Sequence, residues 1–229
     1  MGRREPMTTA ESPEPDTSSP PRRTQRERSS QAEQALLNAA SALFALRGVD
    51  QTSLADIGDR AGYSRGLANH HFGSKATLIE RLAKRFQREF VENVHLDHES
   101  ADSIEVLSGL VQTYLLSIGR HGETGRAFFV MWGAALPAEA SLRPVFADDD
   151  ANFRAGVEAW LRKGQDNGSV DPLVDPSAGA VVLVGMLRGV VAQYLVDPQA
   201  VDLPAAVRTC QQFVEKTFAA PRKVRRAKG

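Results

Sequence analysis

The sequence predicts an all-α protein, with a small three-helix N-terminal unit followed by a larger helical bundle. Three observations predict it. Apolar residues between the two tails recur at the i, i+3, i+4, i+7 spacing of a helix face. No segment alternates apolar and polar residues over a convincing strand length. Gly and Pro fall where one helical run stops and the next begins. With 229 residues, 42% of them hydrophobic, the chain suits one or two small domains with a real core.

Residues 1–24 are rich in Pro, Ser, Thr, Glu and Arg and poor in apolar side chains. They are expected to stay disordered, because burial would not offset the entropy of ordering them. The same holds for the basic tail, residues 221–229, which carries five Lys/Arg. A first helix is expected from a Ser29 or Ser30 cap to Arg47, with Leu36, Ala39, Ala40, Leu43 and Phe44 on one face and Gly48 ending it. Thr52 or Ser53 caps a short second helix holding Leu54, Ile57 and Ala61. Gly62 makes a turn, and Ser64 caps a third helix ending near Phe72. A fourth starts near Lys75, with Leu78, Leu82, Phe86 and Phe90 as its stripe. Further helices are expected near 101–120, 124–136, 140–167, 176–196 and 204–219, with a kink or interruption at Pro144 and Asp148–Asp150 early in the third of these. The expected divisions are 25–75 for the small unit and 76–220 for the bundle.

Charge separates along the chain although the total is zero. Residues 22–88 hold twelve Lys/Arg against six acids, a net of +6, while residues 89–221 hold nine against eighteen, a net of −9. A basic end and an acidic body fit a polyanion partner met at one end only. The single cysteine, Cys210, excludes an intrachain disulfide and a cysteine-based metal site. His70 and His71 are neighbours on a helix and diverge, and His95, His98 and His121 are scattered, so no metal site is expected. No signal peptide is recognisable, and the apolar run Ala178–Val196 is broken by Arg188 and Gln193. It reads as a buried helix, so no membrane partner and a cytoplasmic location are expected. Arg188 then needs a partner, first of all a carboxylate.

The informative segment is Thr52–Lys75, TSLADIGDRAGYSRGLANHHFGSK. It reads as helix, tight turn, helix. Leu54, Ile57 and Ala61 pack under the second helix, small Ala61 permits close approach, and Gly62 supplies a positive φ. Ala68 and Phe72 face inward, which leaves Arg65, Gly66, Asn69 and His70 facing out. Such a helix fits the major groove, where Arg pairs with guanine and Asn with adenine. Arg26 and Arg28 serve either as an arm on phosphates or as plain solvated charge.

This segment resembles the tetracycline-repressor (TetR) family. The cues are Gly48-Val49 after the first helix, then T-S-L-A-D-I, A-G-Y-S-R-G, H-H-F-G-S-K and a leucine-striped helix, spanning roughly residues 29–85. The resemblance implies a DNA-binding helix-turn-helix domain on a larger helical domain for ligand binding and dimerisation. It implies a homodimer, a double-stranded DNA operator and a small-molecule effector as partners, no cofactor, and regulation, as a repressor, rather than catalysis. By position, Arg65 and Gly66 match the base-facing start of the recognition helix, and Ser53 and Lys75 match backbone contacts. Ser64 stands at that helix's N-terminus. Asn69 and His70 match a pair that in the family often includes a Tyr, so here an Asn–adenine contact and a His–phosphate contact would replace it. Ser64, Asp56 and His70 do not make a hydrolase, because neither a G-x-S-x-G elbow nor a strand accompanies them. The competing reading is a helical small-molecule-binding or scaffold protein without DNA function.

In the bundle, Phe128, Phe129, Met131, Trp132, Phe153, Trp160, Met186 and Tyr194 are candidates to line an apolar pocket, although any one of them serves equally as core. Few Lys/Arg lie there, which favours an apolar or neutral ligand. The last two helices offer Gly185, Gly189, Val207, Cys210, Val214 and Phe218 as a candidate dimer interface.

Overall fold

A computed structural model describes residues 24–93, 102–120, 122–137 and 140–221. Most of both expected tails lies outside these residues, as do His95, His98 and His121 and the side chain of Phe90. The described elements are α1 (Gln25–Arg47), α2 (Leu54–Arg60), α3 (Arg65–Phe72), α4 (Lys75–Asn93), α5 (Ser103–Arg120), α6 (Gly122–Ala134), α7 (Arg143–Asn167), α8 (Pro176–Val196) and α9 (Leu203–Phe218).

Two local expectations need correcting, and a third is resolved between its alternatives. The first helix is capped by Thr24, not by Ser29 or Ser30. Thr24 and Glu27 form a capping box: the Glu27 amide donates to the Thr24 hydroxyl at 3.2 Å, and the Thr24 amide donates to the Glu27 carboxylate at 2.8 Å. Arg26 and Arg28 therefore sit exposed on the first turns of α1 rather than on an arm. At α2 the cap is Ser53, boxed with Asp56. Thr52 is buried instead, and its hydroxyl donates to the Gly48 carbonyl at 2.8 Å. Finally, α7 is unbroken through Asp148–Asp150. Pro144 lies in its first turn, where a missing N–H costs no helix bond.

Two cores organise the bundle. The first gathers Leu36, Ala40 and Phe44 of α1, Ile57 of α2, Ala68 and Phe72 of α3 and Leu78, Leu82 and Phe86 of α4. It continues into Ala127 and Met131 of α6 and Phe146 of α7, so α4 and α6 lock the small unit to the body. The second joins Leu107, Val111 and Leu115 of α5, Val157 and Leu161 of α7, Leu183, Leu187 and Val191 of α8, and Val214 and Phe218 of α9. Helix α8 is long and apolar enough to cross a membrane by length and composition. It packs instead along α7, with Leu183, Leu187, Arg188 and Val191 buried.

Candidate functional site

The α2–α3 pair is built by one turn and one glycine contact. Gly62 has φ +77°, a conformation that a side chain resists, and its amide donates to the Asp59 carbonyl. Close approach is also built by Gly58, while Ala61 packs half-buried against the first core. A Cβ at Gly58 would lie 2.8 Å from the Ser64 carbonyl oxygen. Sequence reading passed over Gly58; its signal was a glycine inside a short helix, where it costs stability unless packing requires it.

The outward face of α3 follows from burying Ala68 and Phe72. Ser64, Arg65, Gly66, Asn69 and His70 are all exposed and contiguous. Ser64 holds the N-cap position with no side-chain cap bond, so its hydroxyl is not consumed by its own helix. Arg65 is 78% exposed and lies against Asp59 near the end of α2, its Nε donating to Oδ2 at 2.9 Å. His71 is half-buried, flanked by the His70 and Phe72 rings. Tyr63, in the turn just before α3, is also exposed and was not singled out from the sequence.

Around this face the frame is braced by charge. Arg47 at the end of α1 pairs with Asp56 of α2 at 2.8 Å. Bonds from Ser53, with the Arg47 charge adding, hold the Asp56 carboxyl below its ordinary value. Lys75 is half-buried, and its ammonium donates to the Val49 carbonyl at 3.0 Å and the Thr52 carbonyl at 3.1 Å. Two of its three N–H groups thus pin the α1–α2 loop, and these bonds leave the third uncommitted.

The second candidate site lies where α5, α6, α7 and α8 meet. The side chain of Arg188 is 8% exposed and pairs through Nη2 with Asp149, at 3.2 Å, and with Asp150. The Trp132 indole N–H donates to Asp150 at 3.2 Å. The guanidinium lies over the rings of Phe128 and Trp132, 5.2 and 5.3 Å from their centroids. Burial pushes the Asp149 carboxyl above its ordinary value, with Arg188 opposing. Burial likewise pushes the Tyr114 phenol up to about 12.

The structure divides the eight residues expected to line a pocket. Met131 is fully buried core, whereas Phe128, Phe129, Trp132, Phe153, Trp160, Met186 and Tyr194 are half-buried. Phe128, Phe129 and Trp132 surround Arg188 or adjoin that surround, and Phe153 stacks on Tyr114 at 5.5 Å. Phe128 also meets Phe86 of α4 and Phe146 of α7 edge to face. The dimer-face expectation needs correcting in part. Val207, Cys210, Val214 and Phe218 are buried in the protomer's own second core, because α9 packs on α5 and spends its apolar stripe there. Gly185 is exposed and Gly189 half-buried, with open space beyond each. Among the described residues, no group of three or more His, Cys, Asp or Glu could hold a metal ion.

Comparison with known proteins agrees with both halves. Residues 36–82 match the family described as bacterial regulatory proteins, tetR family, and residues 103–219 match the C-terminal domain of BetI-type transcriptional repressors. The chain is 26% identical to the HTH-type transcriptional regulator TtgR of Pseudomonas putida over 202 residues, covering 80% of this chain and 88% of that one. It shares its fold with SmeT, solved as a triclosan complex, at a TM-score of 0.73 and 22% identity, covering 83% of this chain and 93% of that one. It also shares it with a transcriptional regulator from Saccharomonospora viridis solved with choline, at a TM-score of 0.72 and 21% identity, covering 84% and 100%. This chain belongs to the TetR family of transcriptional regulators.

Proposed function

We propose that the protein is a repressor that binds an inverted-repeat operator as a homodimer and is released by a small, largely apolar molecule. The observation carrying the DNA half is the outward row Arg65, Gly66, Asn69 and His70 on a helix anchored by Ala68 and Phe72. Arg65 reads a guanine, Asn69 an adenine, and Ser53, Ser64, His70 and Lys75 hold phosphates. Residues 25–75 act as the DNA-binding domain and 76–220 as the ligand-binding and dimerisation domain.

The partner protomer sits on the outer face of α8. Val181 is 55% and Val196 86% exposed, and with Gly185, Gly189 and Ala192 they form one outward stripe of small apolar residues. Recognition helices of such a dimer must sit about 34–36 Å apart, or a multiple of that, to meet successive major grooves. The effector site is the Arg188 region. Support for a small-molecule ligand comes from the complexes of SmeT with triclosan and of the Saccharomonospora viridis regulator with choline. Phe128 links that region to Phe86 on α4, and Lys75 at the head of α4 braces the reading unit. A ligand weakens operator binding only as far as it prefers the non-binding arrangement.

The test is a titration of the upstream region of the protein's own gene, with stoichiometry, at several salt concentrations. Two protomers per inverted repeat and affinity falling steeply with salt support the reading. A monomer in solution and on DNA, or affinity independent of salt, would overturn it.

A further inference from the structure

We propose that Arg188 selects the effector, admitting a neutral, carbonyl-bearing apolar molecule and rejecting anions; this rests on the effector site proposed above. Arg188 is 7% exposed, and its Nε and Nη1 atoms are buried without a hydrogen-bond partner. Both carboxylates, Asp149 and Asp150, meet the same nitrogen, Nη2. A guanidinium is always charged and carries five N–H donors. Three of them, one on Nε and two on Nη1, therefore point into protein interior with nothing to accept them. Leaving such donors unmet is costly, so an incoming acceptor gains more there than in water.

The surroundings decide which acceptor. The half-buried rings of Phe128, Phe129 and Trp132 favour an apolar or aromatic body. An anionic ligand would bring a third negative group beside Asp149 and Asp150, against one guanidinium. Burial already works against the charge on Asp149. A ketone, ester or lactone oxygen takes the free N–H groups without that repulsion. A cation would instead meet Arg188 itself. Hence the charge of the cluster selects neutrality and its unmet donors select an acceptor.

The test compares carbonyl compounds with hydrocarbons of the same shape on the full chain. Acetophenone and benzophenone are paired with α-methylstyrene and 1,1-diphenylethylene, in which C=CH2 replaces C=O, and 4-acetylbenzoate supplies the anion. Binding is followed by calorimetry and by quenching of tryptophan fluorescence. At least one ketone should bind roughly 10- to 100-fold more tightly than its alkene partner, the range expected for a hydrogen bond to a charged donor, and 4-acetylbenzoate should bind weakest. The variant Asp149→Asn/Asp150→Asn keeps the hydrogen bonds to Arg188 but removes the opposing charge, so its preference should reverse toward 4-acetylbenzoate; circular dichroism checks that it stays helical. Equal binding of ketone and alkene, tightest binding of the anion by the unaltered protein, or no binding by either ketone (water alone meeting Nε and Nη1) each overturns the proposal. Operator release is measured in parallel. Ketone binding that leaves the operator complex intact would sink the effector reading while the ligand class stands.

Discussion

Arg65, the first residue of α3, is held by Asp59 from the helix before it, with Nε donating to Oδ2 at 2.9 Å. The pair is largely exposed and contributes little to stability. Its consequence is positional: one edge of the guanidinium is engaged by the protein, and the other stays free for a base. Arg65→Ala should relax specificity at one G·C pair and cost about 1–3 kcal/mol per half-site. Asp59→Asn should leave the preferred base unchanged while weakening binding less. Selection from a random duplex pool, followed by titration, separates the two; an unchanged consensus for Arg65→Ala would move the reading face elsewhere.

Gly58 sets how closely α2 meets the entry to α3. A methyl group there meets backbone, the Ser64 carbonyl at 2.8 Å, and backbone cannot rotate away. Gly58→Ala should destabilise the protein by about 1–3 kcal/mol through overpacking, despite alanine's better helix propensity. Urea unfolding measures it. A neutral or stabilising result would mean that the turn relaxes freely.

Lys75 has a structural role beside the phosphate contact proposed for it. Loss of its bonds to the Val49 and Thr52 carbonyls should make Lys75→Met weaken operator and random DNA alike and also lower the melting temperature. Weaker binding with unchanged melting would leave the phosphate contact as its whole role.

Asp56 gives the small unit an acid-sensitive brace. Its folded pKa is lowered by Ser53 and Arg47. The stabilisation is therefore present above the unfolded value of 3.8 and is lost as pH falls through the folded value. Asp149 has the opposite sign: its folded pKa is raised by burial, so protonation relieves a cost as pH falls toward 3.8. Asp56→Asn should flatten the loss of stability below about pH 4, the carboxylate range. An acid limb as steep as that of the unaltered protein would assign that limb to other carboxylates.

Much of this fold was legible because helix periodicity, glycine turns and caps are local signals. The face of α3 followed from Ala68 and Phe72 alone, since burying those two leaves Arg65, Gly66, Asn69 and His70 outside. Arg188 announced its need for a carboxylate, being a charge in an apolar helix. What escaped was tertiary. Nothing local says that Asp149 and Asp150 face α8 rather than solvent. Periodicity on α9 marks an apolar stripe, but not whether α5 or a second protomer covers it. The loop role of Lys75 likewise depends on chain folding across 26 and 23 residues.

The proposed reading of specific DNA by α3, through Arg65, is open to direct measurement. The most direct measurement is capture of sheared genomic DNA by the purified protein and by Arg65→Ala, followed by sequencing. Enrichment of one or a few inverted repeats beside genes by the unaltered protein, with altered or lost enrichment for the variant, is the predicted result. Equal recovery of all fragments by a folded protein, or the same repeats recovered by both proteins, would contradict it.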